Sequence, residues 1–129
     1  MTALVSLVAQ PSFSAERLYE INLDIEMKGK SALALSAFAR EGRISTVQFG
    51  QGDEQKRVEV TANRATRDGH ACVVLDFNLF NVDAAGARTK ISSPRVLVRE
   101  NQKATVSQRQ TDSIVEDFSL SVVATRTRL

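Results

Sequence analysis

The sequence predicts an all-β protein, an antiparallel β-sandwich of eight or nine strands built from two pseudo-repeated four-strand halves. Apolar and polar residues alternate along most of the chain, which is typical of strands with one solvated face. Turn residues divide these stretches at intervals of roughly 10 to 12 residues. One segment also repeats: Arg99-Glu-Asn-Gln-Lys-Ala-Thr-Val106 aligns without a gap on Arg40-Glu-Gly-Arg-Ile-Ser-Thr-Val47, 59 positions earlier, with Arg, Glu, Thr and Val in common.

Size and composition limit the class of protein. A chain of 129 residues is long enough for one domain with its own core. We expect a single domain over residues 16–129, with halves at about 16–66 and 67–129. The single cysteine excludes an intramolecular disulfide. The formal charge is only +2, and the basic residues are scattered among acidic ones, so nucleic acid is an unlikely partner. No apolar run reaches the roughly 20 residues of a membrane-spanning helix.

Residues 1–15 are predicted to be either a signal-like segment or an N-terminal arm. The run from Ala3 to Ala9 is apolar, Pro11 interrupts it, and Ser12 and Ser14 supply small residues two apart, as at the end of a secretory signal peptide. The first basic residue is Arg17, however, so the basic start of a signal is missing. A mature N-terminal strand is the equal alternative.

The first half reads as four strands. Tyr19 to Lys28 alternates strictly and Lys28-Gly-Lys30 is a turn. Ser31 to Arg40 is rich in alanine and leucine, which leaves a helix open as an alternative. We favour a strand because the repeated partner, Ile91 to Arg99, contains Pro94. Predicted next are a hairpin turn at Glu41-Gly42, a strand from Arg43 to Phe49, a loop over 50–54, a strand from Arg57 to Ala62, and a polar loop over 63–69 as the boundary between halves.

The second half repeats this order. His70 to Val82 is predicted to be the longest strand, and the change of apolar phase to Phe80 and Val82 indicates either a bulge or exposure of both faces to apolar neighbours. After a turn at 83–87, strands 89–99 and 102–108 form a hairpin across Glu100-Asn101, 111–113 is a loop, and 116–125 is the last strand. Its apolar residues fall on those of strand 57–62 if one residue is inserted in the preceding loop. The two halves are expected to cover each other, with Tyr19, Phe49, Phe77 and Phe118 in the core.

The residue types needed for chemistry do not cluster. His70 and Cys72 would share one face of a strand, but two ligands, or three with Asp68, are a poor metal site. A single histidine gives neither a serine nor a cysteine nucleophile a clear base. The acidic pairs Asp53-Glu54 and Glu116-Asp117 are most simply solvated. We therefore predict no catalytic, cofactor or metal residues, and a protein that is not an enzyme.

The segment Ser93-Pro-Arg-Val-Leu-Val-Arg-Glu-Asn-Gln-Lys-Ala-Thr-Val106 resembles a stretch of bacterial outer-membrane secretins, in which a Ser-Pro turn leads through a strand to an Asn-containing hairpin and Ala-x-Val. Pro94, Asn101, Ala104 and Val106 match, over about 15 residues. The whole chain is similar to small duplicated β-sandwich domains of the bacterial envelope. These resemblances imply a periplasmic or cell-surface protein and no activity.

Two functions are predicted. The first is a non-enzymatic interaction or assembly module of a bacterial envelope machine, which binds protein partners. The second is a self-assembling subunit of a filament or capsid, in which Ala3 to Ala9 adds as a strand to a neighbour's sheet edge.

Overall fold

The computed structural model describes residues 17–27, 33–51, 54–108 and 117–127, and these ranges hold nine strands and no helix. The strands are β1 Leu18–Met27, β2 Leu33–Arg40, β3 Ile44–Gln51, β4 Glu54–Arg67, β5 His70–Val82, β6 Arg88–Ser92, β7 Arg95–Arg99, β8 Lys103–Gln108 and β9 Phe118–Thr127. The predictions for residues 1–15, the turn at 28–30 and the loop at 111–113 lie outside the described residues.

The strands form two antiparallel sheets that pack face to face, which confirms the predicted β-sandwich. The first sheet has the order β2-β1-β9-β8. The second has the order β3-β4-β5-β6, and β7 also pairs with β5. The open alternative at residues 31–40 is decided in favour of a strand, since Leu33–Arg40 pairs with β1 along its whole length. Inward-facing Ala37 and Ala39 of this strand are buried.

Equivalent strands of the two halves have equivalent neighbours and pair in the same register. Replacing β1, β2, β3 and β4 by β5, β7, β8 and β9 converts the order of one sheet into that of the other. Ile21 of β1 and Leu75 of β5 illustrate the register. Ile21 lies between Ala37 and Ala124, and Leu75 lies between the equivalent Val96 and Ala62. The repeat seen in eight residues therefore extends through eight of the nine described strands, and β6 has no equivalent among them.

The halves do not cover each other as whole units, contrary to the sequence prediction. The first half contributes two strands to each sheet, and the second half contributes two to the first sheet and three to the second, so the halves are interleaved. The predicted hairpin turns at Glu41-Gly42 and Glu100-Asn101 are accordingly corrected, because each carries the chain from one sheet to the other. The Glu41 N–H donates to the carbonyl before β1 at Arg17 (2.8 Å), while the Gly42 N–H donates to Ala62 of β4 in the other sheet (2.9 Å). These bonds anchor the turn to both sheets.

Further predictions of element boundaries are corrected. Asn63 to Arg67 is not a loop but continues β4, which at 14 residues is longer than the 13-residue β5. Only Asp68 and Gly69 form the turn, and both have positive φ (52° and 77°), as in a tight two-residue hairpin. In the predicted loop at 50–54, residues 50, 51 and 54 belong to paired strands.

The predicted strand over 89–99 is two strands, β6 and β7, which are separated at Ser93-Pro94. Proline cannot donate a backbone hydrogen bond, and the break coincides with a register shift at Leu79/Phe80 of β5, where a bulge was one of the two alternatives predicted from the sequence. The last strand is offset from β4 by 62 positions, since Leu120 and Val58 are equivalent. Relative to the 59 positions of the preceding strands, three residues are therefore inserted, where the sequence predicted one.

The core lies between the sheets, and the alternating pattern predicted its members correctly. β1 contributes Tyr19, Ile21, Leu23, Ile25 and Met27, and β5 contributes Val73, Leu75, Phe77 and Leu79. Phe118 is also buried, while Phe49 is half-buried and packs against the core. Each such side chain stabilises the fold by roughly 1.5–3 kcal/mol relative to an exposed one. With the inner faces filled, the outer faces and strand edges are the surfaces left for function.

Candidate protein-interaction edge

One side of the sandwich ends in β2 of the first sheet and β3 of the second, and the other side ends in β8 of the first sheet and in β6 and β7 of the second. We call the pair β2 and β3 the first edge, and the strands β6, β7 and β8 the second edge. Within the first edge, the Ser45 hydroxyl of β3 donates to the Phe38 carbonyl of β2 at 2.9 Å. Within the second, the Ser92 hydroxyl of β6 donates to the Gln108 side-chain oxygen of β8 at 2.8 Å. The two edges are related by the internal repeat.

The second edge carries the features that prevent further strand pairing. Pro94 divides it into short strands, and charged side chains lie along it. They are Arg88 and Lys90 on β6, Arg95 and Arg99 on β7, and Lys103 on β8. Short, charged and proline-broken edges are how β proteins avoid edge-to-edge association.

The first edge lacks these features. From Leu33 to Ala39 there is neither a charged residue nor a proline, and the same holds for all of β3. Of the four large hydrophobic side chains that are exposed in the described chain, three lie here: Leu33 (41% exposed), Phe38 (61%) and Ile44 (66%). No described strand pairs with the outer side of β2 or of β3. A long uncharged edge with exposed apolar side chains is a template for another strand.

Equivalent positions of the two edges carry uncharged residues on the first edge and charged residues on the second. Ser36 donates to the Asn22 side chain at 2.7 Å on the first sheet. At the equivalent positions of the second sheet, Arg95 forms an ion pair with Asp76, with 2.6 Å between Nε and Oδ1. Ile44 of the first edge likewise corresponds to Lys103 of the second. The repeat thus places charge on one edge and omits it from the other.

The two residues considered first for metal binding, His70 and Cys72, differ in exposure. His70 is exposed at the start of β5 and Cys72 is buried. Cys72 lies at a surface cavity of about 330 Å³ together with Arg67, Asp68, Leu97 and Arg99. In the described ranges, no group of three or more His, Cys, Asp or Glu side chains could hold a metal ion.

A polar cluster closes one end of the sandwich around the side chain of Tyr19. Burial raises the pKa of the Tyr19 phenol, the charge of Glu41 raises it further, and the Arg17 guanidinium opposes both. Glu41 is held by Arg64, whose Nε lies 3.6 Å from its Oε2, and Glu100 lies 4.0 Å from Arg17. Among the described residues the Tyr19 hydroxyl has no hydrogen bond of ordinary geometry, although Arg17 is close enough to lower its pKa. This cluster connects Glu41 and Glu100, in the two turns that join the sheets, to Arg64 and Arg17.

Comparisons of the chain with protein-family models, with curated protein sequences and with solved structures found no match. Within the described part of the chain, no helix is long and apolar enough to cross a membrane. The difference between the two edges is therefore the feature of the molecule that bears on function.

Sequence reasoning did not identify the first edge. The alternation within Leu33 to Arg40 is obscured by its many apolar residues, so it does not separate inward from outward positions. A signal was nevertheless present in the repeat. Aligning the halves places Ser36 on Arg95 and Ile44 on Lys103, which marks the first half as the one with uncharged edge strands.

Proposed function

We propose that this chain is a non-enzymatic protein–protein interaction and assembly module that binds its partner by strand addition at the first edge. The observation that carries the proposal is the contrast between equivalent edges: Ser36 and Ile44 stand on the first where Arg95 and Lys103 stand on the second. Backbone groups along an open edge provide hydrogen bonds, and exposed side chains such as Phe38 provide apolar contact.

The proposed setting is a bacterial envelope machine, with the protein in the periplasm or at the cell surface. This part rests on the sequence, namely the signal-like pattern of Met1 to Ser14 and the secretin-like segment from Ser93 to Val106. Both support an envelope location independently of the edge argument.

Site-specific photo-crosslinking in cells that express the full-length reading frame tests both parts. A photoreactive phenylalanine analogue replaces Phe38 on the first edge or, as the matched control, Leu97 at the equivalent position of the second edge. We expect crosslinked protein adducts from position 38 and few from position 97, in the envelope fraction. Equal amounts of adduct at both positions would contradict binding at the first edge. A wholly cytosolic protein would contradict the proposed location in the envelope.

A second candidate function is a self-assembling subunit of a filament or capsid. The open side of β2 favours it, because the apolar run Ala3 to Ala9 could add there as a strand of a neighbouring copy. Light scattering of the full chain and of a chain without residues 1–15 tests it. Assemblies of many copies that disappear on truncation support this candidate, whereas a species of unchanged size in both contradicts it.

A further inference from the structure

We propose that the partner of the first edge is the same edge of a second copy. In this dimer the two β2 strands pair antiparallel about a twofold axis beside Ser36, which joins the two four-stranded first sheets into one sheet of eight strands. The inference rests on the proposed function, because it names the occupant of that edge.

The direction of the backbone groups fixes which residues of β2 are available. The Phe38 carbonyl accepts a hydrogen bond from Ser45 of β3, so it points away from β1. In an antiparallel strand the N–H and C=O of one residue point to the same side, and this side alternates along the strand. Ala34 and Ser36 therefore also direct their backbone groups to the outer side of β2.

Pairing about Ser36 is complementary in side-chain size. Ser36 lies opposite Ser36 of the second copy, and every other pair joins a large side chain to alanine. The pairs are Phe38 with Ala34, Leu35 with Ala37, and Leu33 with Ala39. Large residues opposite small ones pack without voids or clashes. The pairing would cover Phe38 and Leu33, two of the exposed apolar side chains of this edge.

The equivalent strand of the other half cannot associate in this way. Around the same axis position Arg95 would face Arg95 of the second copy, and like charges directly opposite are destabilising. Pro94 stands where β2 has Leu35, so β7 begins only at Arg95. The structure therefore contains, in β7, the substitutions that should abolish the dimer when they are placed in β2.

The test is the mass of the full-length protein by sedimentation over micromolar to millimolar concentrations. We expect a concentration-dependent dimer, and Ser36→Arg should raise its dissociation constant by about tenfold or more, because two guanidinium groups then meet at the axis. The double variant with Ser36→Arg and Asn22→Asp recreates the Arg95–Asp76 pair and keeps the fold while it removes the dimer. Ser107→Arg on β8, the other edge of the same sheet, is the matched control and leaves the dimer unchanged.

A disulfide provides a second, positional measurement. Opposite residues of a hydrogen-bonded antiparallel pair have Cα atoms about 5.5 Å apart, within the range that a disulfide spans. Ser36→Cys should therefore form a covalent dimer on mild oxidation, and Ser107→Cys should not, while the native Cys72 is buried in both.

Three outcomes overturn the dimer. The first is a wild-type protein that stays monomeric at all concentrations. If the analogue at position 38 nevertheless crosslinks to another protein, the proposed function stands and only the dimer is wrong. A dimer that Ser36→Arg leaves intact places the contact elsewhere. Association that is lost on Val5→Asp but kept in Ser36→Arg assigns it to the N-terminal segment.

Discussion

Gly42 and Asn101 occupy the same structural position in the two halves. Both have left-handed backbone angles, with φ of 78° and 68°. The Gly42 N–H donates to the Ala62 carbonyl of β4, and the Asn101 N–H donates to the Ala124 carbonyl of β9, both at 2.9 Å. The residues on either side repeat the pattern: Arg43 donates to Arg40 at 3.0 Å, and Gln102 donates to Arg99 at 3.1 Å. The turns that join the sheets are therefore built alike.

The left-handed backbone conformation of Gly42 predicts different effects for two substitutions at this position. A Cβ at Gly42 would meet Asn63 Oδ1 at an ordinary 3.8 Å, so the cost of Gly42→Ala is conformational. We expect a loss of about 1 kcal/mol in the free energy of unfolding. Gly42→Asn should lose less, since asparagine tolerates this conformation, as Asn101 shows. Urea unfolding measures all three proteins, and equal stability of Gly42→Ala and wild type would contradict the argument.

The sequence predicted which side chains face the core but not how the strands pair. Alternation places Tyr19, Ile21 and Leu23 on one face whatever their neighbours are. It does not say whether the chain turns back within a sheet or crosses to the other. Arg40-Glu-Gly42 therefore resembled a hairpin, and only the hydrogen bonds to both sheets show that it is not.

The candidate edge was predictable only in part, for a related reason. Exposure of Phe38 follows from β2 being an edge strand, which is a property of the sheet order and not of the local sequence. The absence of charge from Leu33 to Ala39 was visible, but an uncharged run is equally typical of a central buried strand. The repeat could have distinguished these readings, because its second copy carries Arg95 at the position of Ser36.

The equivalence of Ile21 and Leu75 predicts equal contributions from the two sheets to the core. Both side chains are fully buried. Ile21→Ala and Leu75→Ala should each lower the free energy of unfolding by about 2–5 kcal/mol, through lost burial and a cavity. Val74→Ala, at a half-buried outward position beside Leu75, is the control and should cost less than about 1 kcal/mol. Denaturant unfolding measures the three, and a small loss in only one of the core variants would show that the halves are energetically unequal.

Glu59 predicts a salt-dependent contribution on the outer face of the second sheet. Its Oε2 lies 3.1 Å from Arg57 Nη2 and 3.3 Å from Arg88 Nη1, and Arg88 also lies over the Phe80 ring at 5.1 Å. Glu59→Gln should lower the free energy of unfolding by up to about 1 kcal/mol at low salt. The difference should shrink in about 1 M salt, where charges are screened within about 3 Å. A loss that is independent of salt would mean that Glu59 acts through packing rather than charge.

The buried phenol of Tyr19 predicts that folding stability depends on pH. Its ionisation can be followed by absorbance, since it is the only tyrosine of the chain and tryptophan is absent. Burial and the charge of Glu41 raise the pKa of its phenol in the folded state. As pH rises, Tyr19 therefore loses its phenolic proton in the unfolded chain before it does so in the folded protein. The contribution of Tyr19 to the free energy of unfolding is fully present below about pH 10 and declines as pH rises above it. Absorbance titration should show ionisation of Tyr19 above its ordinary range.

Tyr19→Phe should remove this part of the alkaline decline. At neutral pH the variant should be at least as stable as wild type, because the buried hydroxyl has no hydrogen bond of ordinary geometry among the described residues. Urea unfolding at pH 8 and at pH 10.5 compares the two proteins. If Tyr19→Phe loses stability at pH 8, the hydroxyl has a partner and the assignment of an unpaired group is wrong; if both proteins decline equally at high pH, another group titrates.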